Sequence, residues 1–282
     1  MALCHTSHER TAWLNRLPDV VEKIMLRWSL QFDQPLEGEE ASCSFVAAVR
    51  HQGGIPAVLK IGVPHMEAQD EIKGLQFWNG DPTVRLLAVD TDVGAMLLER
   101  CKPGTTLRRL PEADQDVVIA SLLPRLWRKP EEPHAFRPLS TMIEHWTKAT
   151  LEQSQYWPDV DLVREGLQLF HELPTTAASE VLLATDLHAG NVLAAEREPW
   201  LVIDPKPFLG DPAYDATQHL FNCSERLQSD PVGLIRSFAN LLGVESERVR
   251  LWTFARLAAE PREDWNNVDN LALARKLRTA RI

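Results

Sequence analysis

The hydrophobic pattern of this chain changes character near residue 100, and the change limits the folds open to it. Before that point, the sequence shows strand-like runs at Ser44–Arg50, Ile55–Ile61, Val84–Asp90 and Ala95–Glu99. Short turns separate these runs pairwise, which predicts two antiparallel hairpins. After that point, apolar residues recur at the i, i+3, i+4, i+7 spacing of amphipathic helices. The pattern predicts an α+β protein with a small β-rich lobe followed by a larger helical lobe.

The lobe boundary is predicted at a short segment rich in turn-forming residues. Cys101–Thr105 contains a Pro-Gly pair and is typical of a hinge. We therefore divide the chain into an N-terminal lobe of residues 1–100 and a C-terminal lobe of residues 101–282. A cleft between two lobes is a favoured place for a small ligand.

The charge balance bears on the class of partner. The chain of 282 residues has 30 basic and 40 acidic side chains, a net charge of −10. Because no stretch is densely basic, a nucleic-acid partner is not expected. The acidic balance suits a cationic small substrate, and it equally suits plain solubility.

Neither a membrane span nor an oxidised framework is predicted. The longest apolar run, Val117–Leu123, is far shorter than the about 18 residues that a spanning helix needs. The N-terminal sequence does not have the pattern of a secretory signal. The four cysteines are scattered without C-x-x-C spacing, which is typical of reduced thiols. The expected location is the cytoplasm.

A further predicted hairpin brings polar residues together. Val192–Ala195 and Trp200–Ile203 are strand-like and are separated by a four-residue turn. Residues equidistant from the turn face each other, so we expect Asn191 and Asp204 to lie together at the open end. Asp186 precedes Asn191 by five residues. The three side chains offer the oxygen ligands that Mg²⁺ prefers and one further carboxylate.

Phosphoryl transfer requires this set of side chains. An aspartate accepts the proton of the attacking hydroxyl group, while an asparagine and a second aspartate hold Mg²⁺ on the nucleotide phosphates. The alternative is structural: Asp186 and Asn191 cap a loop, and Asp204 ends a strand before a proline. The combination of all three favours the functional interpretation.

A lysine and a glutamate complete the expected nucleotide site. Lys60 lies near the end of an otherwise apolar strand, and the next helix is predicted at Glu67–Trp78. Glu71 falls on the apolar stripe of that helix, where a carboxylate is costly unless it is paired. We therefore predict a Lys60–Glu71 ion pair, with Glu67 as the alternative partner. Otherwise, Glu71 would reach solvent at the edge of the helix.

The phosphate-covering loop has no standard signature. The sequence contains neither a G-x-G-x-x-G motif nor a Walker A motif. The segment from Glu37 to Ser44 would form the lid, with Ser44 donating to a phosphate through its hydroxyl and backbone N–H. A serine making only local turn bonds is the alternative.

Three motifs together resemble one enzyme family. They are DLH-x-x-N from Asp186, WLVIDPKP from Trp200 and GDPAYD from Gly210. The chain is similar to the aminoglycoside phosphotransferases, in the aminoglycoside/hydroxyurea branch that includes streptomycin 6-phosphotransferases. Weaker likeness extends over Ser44–Trp78 and Met96–Gly104.

The resemblance implies a protein kinase-like bilobal fold, with ATP and Mg²⁺ as cofactors. It implies phosphorylation of a hydroxyl group on an aminoglycoside, with streptomycin as the expected acceptor and hydroxyurea or another small molecule as the alternative. The roles implied are catalytic base for Asp186, metal ligands for Asn191 and Asp204, phosphate binding for Lys60, and backbone contacts to adenine for Glu99 and Cys101.

One departure from the family pattern leaves other functions open. Ala184-Thr185 stands where the family usually has a His-containing pair, so loop support is expected from Thr185 or His188 instead. A nucleotide-binding pseudokinase is one alternative reading. A metal-dependent hydrolase that uses Asp186, His188 and Asp204 as ligands is another.

An acceptor site for a cationic substrate is expected near the C-terminus. Its candidate residues are Glu260, Asp264, Trp265 and Asp269, because carboxylates pair well with guanidinium groups. A helix is predicted to begin near Pro261 and to pack through Trp265, Val268 and Ala272. The alternative is that the acidic residues only favour the first turn of this helix.

Overall fold

The computed structural model describes residues 7–33, 44–51, 53–63 and 66–282, with backbone alone at residues 7–9 and 66–68. The chain divides into two compact units. The first unit consists of Met1–Thr105 and Leu193–Lys206, and the second consists of Thr106–Val192 and Pro207–Ile282. The predicted lobe boundary at residue 100 divides the chain once, whereas residues 193–206 lie beyond that boundary and belong to the first unit.

The strand-rich first part and the mainly helical second part agree with the sequence pattern. Up to residue 105 the strands and helices are α1 (Ser7–Arg27), β1 (Gln31–Phe32), β2 (Ser44–His51), β3 (Ile55–Gly62), α2 (Met66–Trp78), β4 (Leu86–Asp90) and β5 (Ala95–Glu99). Beyond residue 105 they are α3 (Glu112–Leu126), α4 (Leu139–Glu152), α5 (Val160–Thr175), β6 (Val181–Leu183), β7 (Val192–Ala194), β8 (Trp200–Val202), β9 (Phe208–Gly210), α6 (Pro212–Asn222), α7 (Ser224–Ser229), α8 (Pro231–Leu242), α9 (Ser246–Ala259) and α10 (Val268–Thr279). The short strands β1, β6 and β9 were not predicted.

The first unit is built on a five-stranded sheet of order β1-β2-β3-β5-β4 in which all neighbours are antiparallel. Both predicted hairpins, β2–β3 and β4–β5, are confirmed. One face of the sheet is covered by α1, where Ile24 packs with Leu59 and Ile61. Side chains alternate between faces along a strand, so Lys60 points to the opposite face.

That opposite face holds a second apolar cluster against α2. Met96 of β5 packs there with Ile72 and Leu75 of α2 and with Leu201 of β8. Lys60 is the register partner of Met96. Because paired residues share a face, the strand alternation delivers the Lys60 side chain to α2.

The β7–β8 hairpin joins the sheet unit through the segment that precedes β4. The Val84 N–H donates to the Val202 carbonyl at 3.0 Å, and the Val202 N–H donates to the Pro82 carbonyl at 3.0 Å. This pairing with β8 explains why β4 begins at Leu86 and not at Val84 as predicted. The Ala195 N–H donates to the Pro199 carbonyl at 3.4 Å, which centres the hairpin on Arg197. The predicted pairing of Asn191 with Asp204 implies a centre between residues 197 and 198, half a residue further along the chain.

The second unit is mainly helical, with β6 and β9 paired as a short antiparallel ribbon. Helices α5 and α9 approach closely at Gly166. A Cβ at that position would lie 2.8 Å from the Cβ of Ala258 and 2.9 Å from the Cβ of Ala259. The absence of a side chain on Gly166 therefore sets the distance between these two helices.

The prediction for the C-terminal helix was wrong in its start and its face. The helix begins at Val268, with Asn267 as its N-cap, because residues before it form a loop. Val268 is 76% exposed, and Ala272 is also exposed. The buried stripe of α10 consists of Leu273, Ala274 and Leu277.

Within the described part of the chain, none of the helices combines the length and the apolar character that crossing a bilayer requires.

Gly166→Ala should lower the free energy of unfolding by about 1–3 kcal/mol, because the added methyl group overpacks the α5–α9 contact. Alanine is the better helix former, so an uncrowded site would show the opposite sign. Urea denaturation measures the change. Ser237→Ala, at an exposed position of α8, is the control and should stay within about 0.5 kcal/mol of the wild type. A Gly166→Ala variant as stable as the wild type would contradict the close contact.

Candidate active site

In the first unit, one lysine contacts two carboxylates. Lys60 Nζ lies 2.7 Å from each carboxylate oxygen of Glu71 and 2.6 Å from Asp204 Oδ1. Lys60 and Glu71 are buried, whereas the Asp204 side chain is 42% exposed. The predicted Lys60–Glu71 ion pair is confirmed. The side chain of Glu67, the alternative partner, lies outside the described residues.

Burial and charge act in opposite directions on this group. Burial alone lowers the pKa of Lys60, but the charges of Asp204 and Glu71 outweigh it and raise the pKa above its usual value. Burial raises the pKa of Glu71 to about 7, against the opposing effect of Lys60. The Lys60 ammonium is therefore held in its charged form.

One candidate site residue and the neighbour of another have an unusual backbone conformation. Asp204 has a φ of +53°, and Thr185, immediately before Asp186, has a φ of +49°. Positive φ is uncommon outside glycine and especially so for a β-branched residue such as threonine. Backbone strain of this kind is concentrated at functional sites. Here it occurs at Asp204 itself and at the residue that immediately precedes Asp186.

In the second unit, the loop that carries Asp186 is held by its own polar groups. The Asn191 side-chain N–H₂ donates to the Asp186 carbonyl oxygen at 3.0 Å. This bond fixes the orientation of the amide, because its nitrogen faces Asp186 and its oxygen therefore points to the other side. His188 Nδ1 accepts from the Gly190 N–H at 3.0 Å, which gives His188 a structural role in the loop.

Asp215, the last residue of the GDPAYD motif, braces the position where the family histidine is missing. It accepts the N–H of Thr185 at 2.7 Å and that of Ala184 at 2.9 Å, and it also accepts the Trp127 indole N–H at 3.0 Å. Burial raises the pKa of Asp215 to about 6, although the three N–H donors oppose the shift. Loop support therefore comes from backbone amides and Asp215, which the sequence reasoning missed.

Gln218 is a second missed residue. Its side-chain N–H₂ donates to Asp186 Oδ1 at 2.9 Å. Asp215 and Gln218 are three residues apart on α6, so both point to the same side of the helix. The sequence could have indicated Gln218, because it lies three residues after Asp215, the last residue of the GDPAYD motif.

At the end of β5, the side chain of Glu99 is held by Arg197 from the β7–β8 turn. Arg197 donates from Nε and Nη2 to the two carboxylate oxygens of Glu99, both at 2.9 Å. Burial alone raises the pKa of Glu99, but these bonds outweigh it and lower the pKa. The Glu99 N–H donates to the Arg85 carbonyl oxygen at 2.9 Å. Burial raises the pKa of the nearby Cys101 thiol to about 12, so it is neutral.

Ser44 opens β2 opposite Gly62 and is partly buried. The rest of the predicted phosphate lid, residues 37–43, lies outside the described residues.

Two of the residues predicted to bind the acceptor have hydrogen-bond partners within the second unit. Glu260 Oε2 accepts from Arg256 Nε at 2.9 Å. Trp265 is 5% exposed, and its indole N–H donates to Gln153 Oε1 at 2.9 Å. Asp264 and Asp269 are exposed. The predicted group therefore contains a partly exposed glutamate paired with Arg256, a buried tryptophan and two exposed acids.

Asp215→Asn should lower the free energy of unfolding by about 1–3 kcal/mol, because one amide oxygen cannot accept from three buried N–H donors. The deficit should widen from pH 7 to pH 5. The raised pKa of Asp215 makes its contribution to stability greatest below its unfolded pKa of about 4, and this contribution is lost as pH rises through about 6. Urea denaturation at the two pH values measures both effects. Asp114→Asn, exposed on α3, is the control. A deficit that narrows on acidification would contradict the assignment.

A family model described as aminoglycoside/hydroxyurea antibiotic resistance kinase matches residues 27–264. The streptomycin 6-kinase of Streptomyces glaucescens is 36% identical over 260 residues, which cover 88% of this chain and 83% of the relative. The hydroxyurea phosphotransferase of Kitasatospora aureofaciens is 34% identical over 248 residues, which cover 86% of this chain and 71% of the relative.

Solved structures agree in fold. The choline kinase of Streptococcus pneumoniae superimposes with a TM-score of 0.64 at 12% identity, covering 93% of this chain and 99% of its own. An amicoumacin kinase in complex with AMP-PNP and Ca²⁺ gives a TM-score of 0.57 at 16% identity, covering 97% and 95%. These neighbours confirm the kinase-like fold class, with an antiparallel sheet unit and a helical unit. The matched family model and the two sequence relatives show that the chain belongs to the aminoglycoside/hydroxyurea antibiotic resistance kinase family.

Proposed function

We propose that this antibiotic-resistance phosphotransferase transfers the γ-phosphoryl group of ATP to a hydroxyl group of an aminoglycoside, with streptomycin as the acceptor. The observation that carries the proposal is the contact of Lys60 with Glu71 and Asp204, the charge set that a phosphoryl-transfer site requires. The identity to a streptomycin 6-kinase over 88% of the chain supports the choice of acceptor. A cytoplasmic location belongs to the proposal, because ATP is the donor.

Asp186 is the proposed proton acceptor. The hydroxyl group of the acceptor attacks the phosphorus atom and gives its proton to the Asp186 carboxylate as the bond to the leaving ADP oxygen breaks. The contact with Gln218 engages Oδ1 of this carboxylate. Asn191 ties the backbone of Asp186 to the following loop and so keeps the carboxylate in place.

Asn191 and Asp204 are the proposed Mg²⁺ ligands, since an amide oxygen and a carboxylate are hard donors that fit this ion. When bound, Mg²⁺ would neutralise charge on the nucleotide phosphates. The AMP-PNP and Ca²⁺ complex of the amicoumacin kinase supports a nucleotide with a divalent cation.

Residues of the first unit complete the proposed nucleotide contacts. Lys60 would carry positive charge to the phosphates, and Glu71 would keep its ammonium oriented. Ser44 would donate to a phosphate. The carbonyl of Glu99 and the backbone N–H of Cys101 would meet the adenine base.

The proposed acceptor group consists of Glu260, Asp264, Trp265 and Asp269. Asp264 and Asp269 are exposed and would pair with the guanidinium groups of a cationic substrate. The net charge of −10 favours approach of such a substrate. Hydroxyurea is the second candidate acceptor, because a hydroxyurea phosphotransferase is 34% identical over 86% of the chain.

ADP release with Mg·ATP tests the proposal, using streptomycin, hydroxyurea and other aminoglycosides as acceptors. We expect streptomycin-dependent ADP release that falls by about 10²–10⁴-fold in Asp186→Asn, because the proton acceptor is lost. ATP binding, measured by thermal shift, should persist in that variant. Asp114→Asn should behave as the wild type.

Three outcomes would change the conclusion. ADP release that depends only on hydroxyurea would replace the acceptor. ATP binding without ADP release for any acceptor would support a pseudokinase. Equal loss of ATP binding in Asp186→Asn would contradict the role of Asp186.

A further inference from the structure

The amide group of Gln218 lies between Asp186 and a buried arginine. Gln218 Nε2 donates to Asp186 Oδ1 at 2.9 Å, and Arg256 Nη2 donates to Gln218 Oε1 at 3.1 Å. Arg256 also donates from Nε to Glu260 Oε2 at 2.9 Å and from Nη1 to Thr217 Oγ1 at 2.7 Å. A continuous chain of hydrogen bonds thus runs from Glu260 through Arg256 and Gln218 to Asp186.

The donor and acceptor roles in this series of hydrogen bonds follow from the chemistry of its side chains. A guanidinium group has donors only, so Arg256 must meet the oxygen of the Gln218 amide. The amide nitrogen is then the atom that faces Asp186, where it donates to the carboxylate. Arg256 therefore decides which end of the Gln218 amide reaches Asp186.

Arg256 is itself firmly held. Its side chain is 5% exposed, and its guanidinium carbon lies 4.8 Å from the ring centroid of Phe221, 5.1 Å from that of Tyr214 and 5.5 Å from that of Trp146. Cation–π contacts of this kind are strongest where water is excluded. Together with the Glu260 ion pair, they hold the guanidinium group in one position.

We propose that Gln218 is a positioning residue that orients the Asp186 carboxylate for proton acceptance, and that Arg256 keeps the Gln218 amide in its donating orientation. The proposal rests on the proposed role of Asp186 as base. The terminal torsion of an aspartate side chain is intrinsically broad. A fixed donor on Oδ1 restricts that torsion and turns the carboxylate toward one direction. The catalytic rate should depend on this contact, whereas nucleotide affinity should not.

Gln218→Glu separates positioning from structural support. The variant keeps the shape of the side chain and an oxygen for Arg256, but it replaces the N–H donor with a negative charge next to Asp186. We expect kcat for ADP release to fall by about 100-fold or more, since misplacement of a reacting group is costly. The KM for ATP should stay within about 2-fold and Tm within about 3 °C of the wild type. If Gln218 had a purely structural role, kcat would fall only together with a fall in Tm.

Further variants complete the experiment. Gln218→Leu removes the donor without adding charge and should lower kcat by about 10–100-fold. Arg256→Lys keeps the charge but loses the fork that holds the amide, and it should lower kcat less. Because both act through one contact, the double variant should lose little more than Gln218→Leu alone. The matched control is Gln168→Leu, since Gln168 Nε2 donates to Glu172 Oε1 at 2.8 Å on the surface of α5. It should retain wild-type kcat and KM.

The outcomes distinguish this proposal from the proposed function. If the wild type is active and the kcat of Gln218→Glu is within about 2-fold of the wild-type kcat, the positioning role is overturned and the proposed function is unaffected. A wild type without acceptor-dependent ADP release would overturn both. A lower kcat for Gln218→Glu, with the KM for ATP and Tm both unchanged, would establish the positioning role.

Discussion

The buried ammonium of Lys60 is the constraint around which the first unit is built. Removing this charge from water would be costly without partners, and Glu71 and Asp204 supply them at 2.7 and 2.6 Å. The three residues come from β3, from α2 and from the end of the β7–β8 hairpin. Strand alternation, the helix that covers the sheet and the docking of the hairpin must therefore all be correct for one ion cluster to form.

In the second unit, the Asp186 loop is supported although Ala184-Thr185 replaces the His-containing pair expected from the family resemblance. Helix α6 supplies that support twice, through Asp215 on the backbone amides and through Gln218 on the carboxylate. Because Asp215 binds main-chain N–H groups, the side chains at residues 184 and 185 can change without loss of the brace. This explains how the family departure is compatible with an ordered loop.

The sequence predicted the contacts that follow from local periodicity and missed those that do not. Both hairpins and the Lys60–Glu71 pair depend on alternation and on a helical stripe within a short segment. The Glu99–Arg197 contact joins residues 98 positions apart, and no local pattern indicates it. The Arg256–Glu260 ion pair was also not predicted, although the two residues are four positions apart, a spacing at which pairing is favoured. The register of α10 was missed because its start was placed too early.

The Mg²⁺ dependence of ATP affinity tests the central claim most directly. Isothermal titration calorimetry of the wild type should show that affinity for ATP increases with Mg²⁺, with Asp204 as a ligand. Asp204→Asn should still bind ATP without Mg²⁺, because Lys60 and Glu71 remain. The increase in ATP affinity that Mg²⁺ produces should be about 10–100-fold smaller in this variant than in the wild type. An unchanged Mg²⁺ dependence in Asp204→Asn would contradict the assignment of this charge cluster as the nucleotide–metal site.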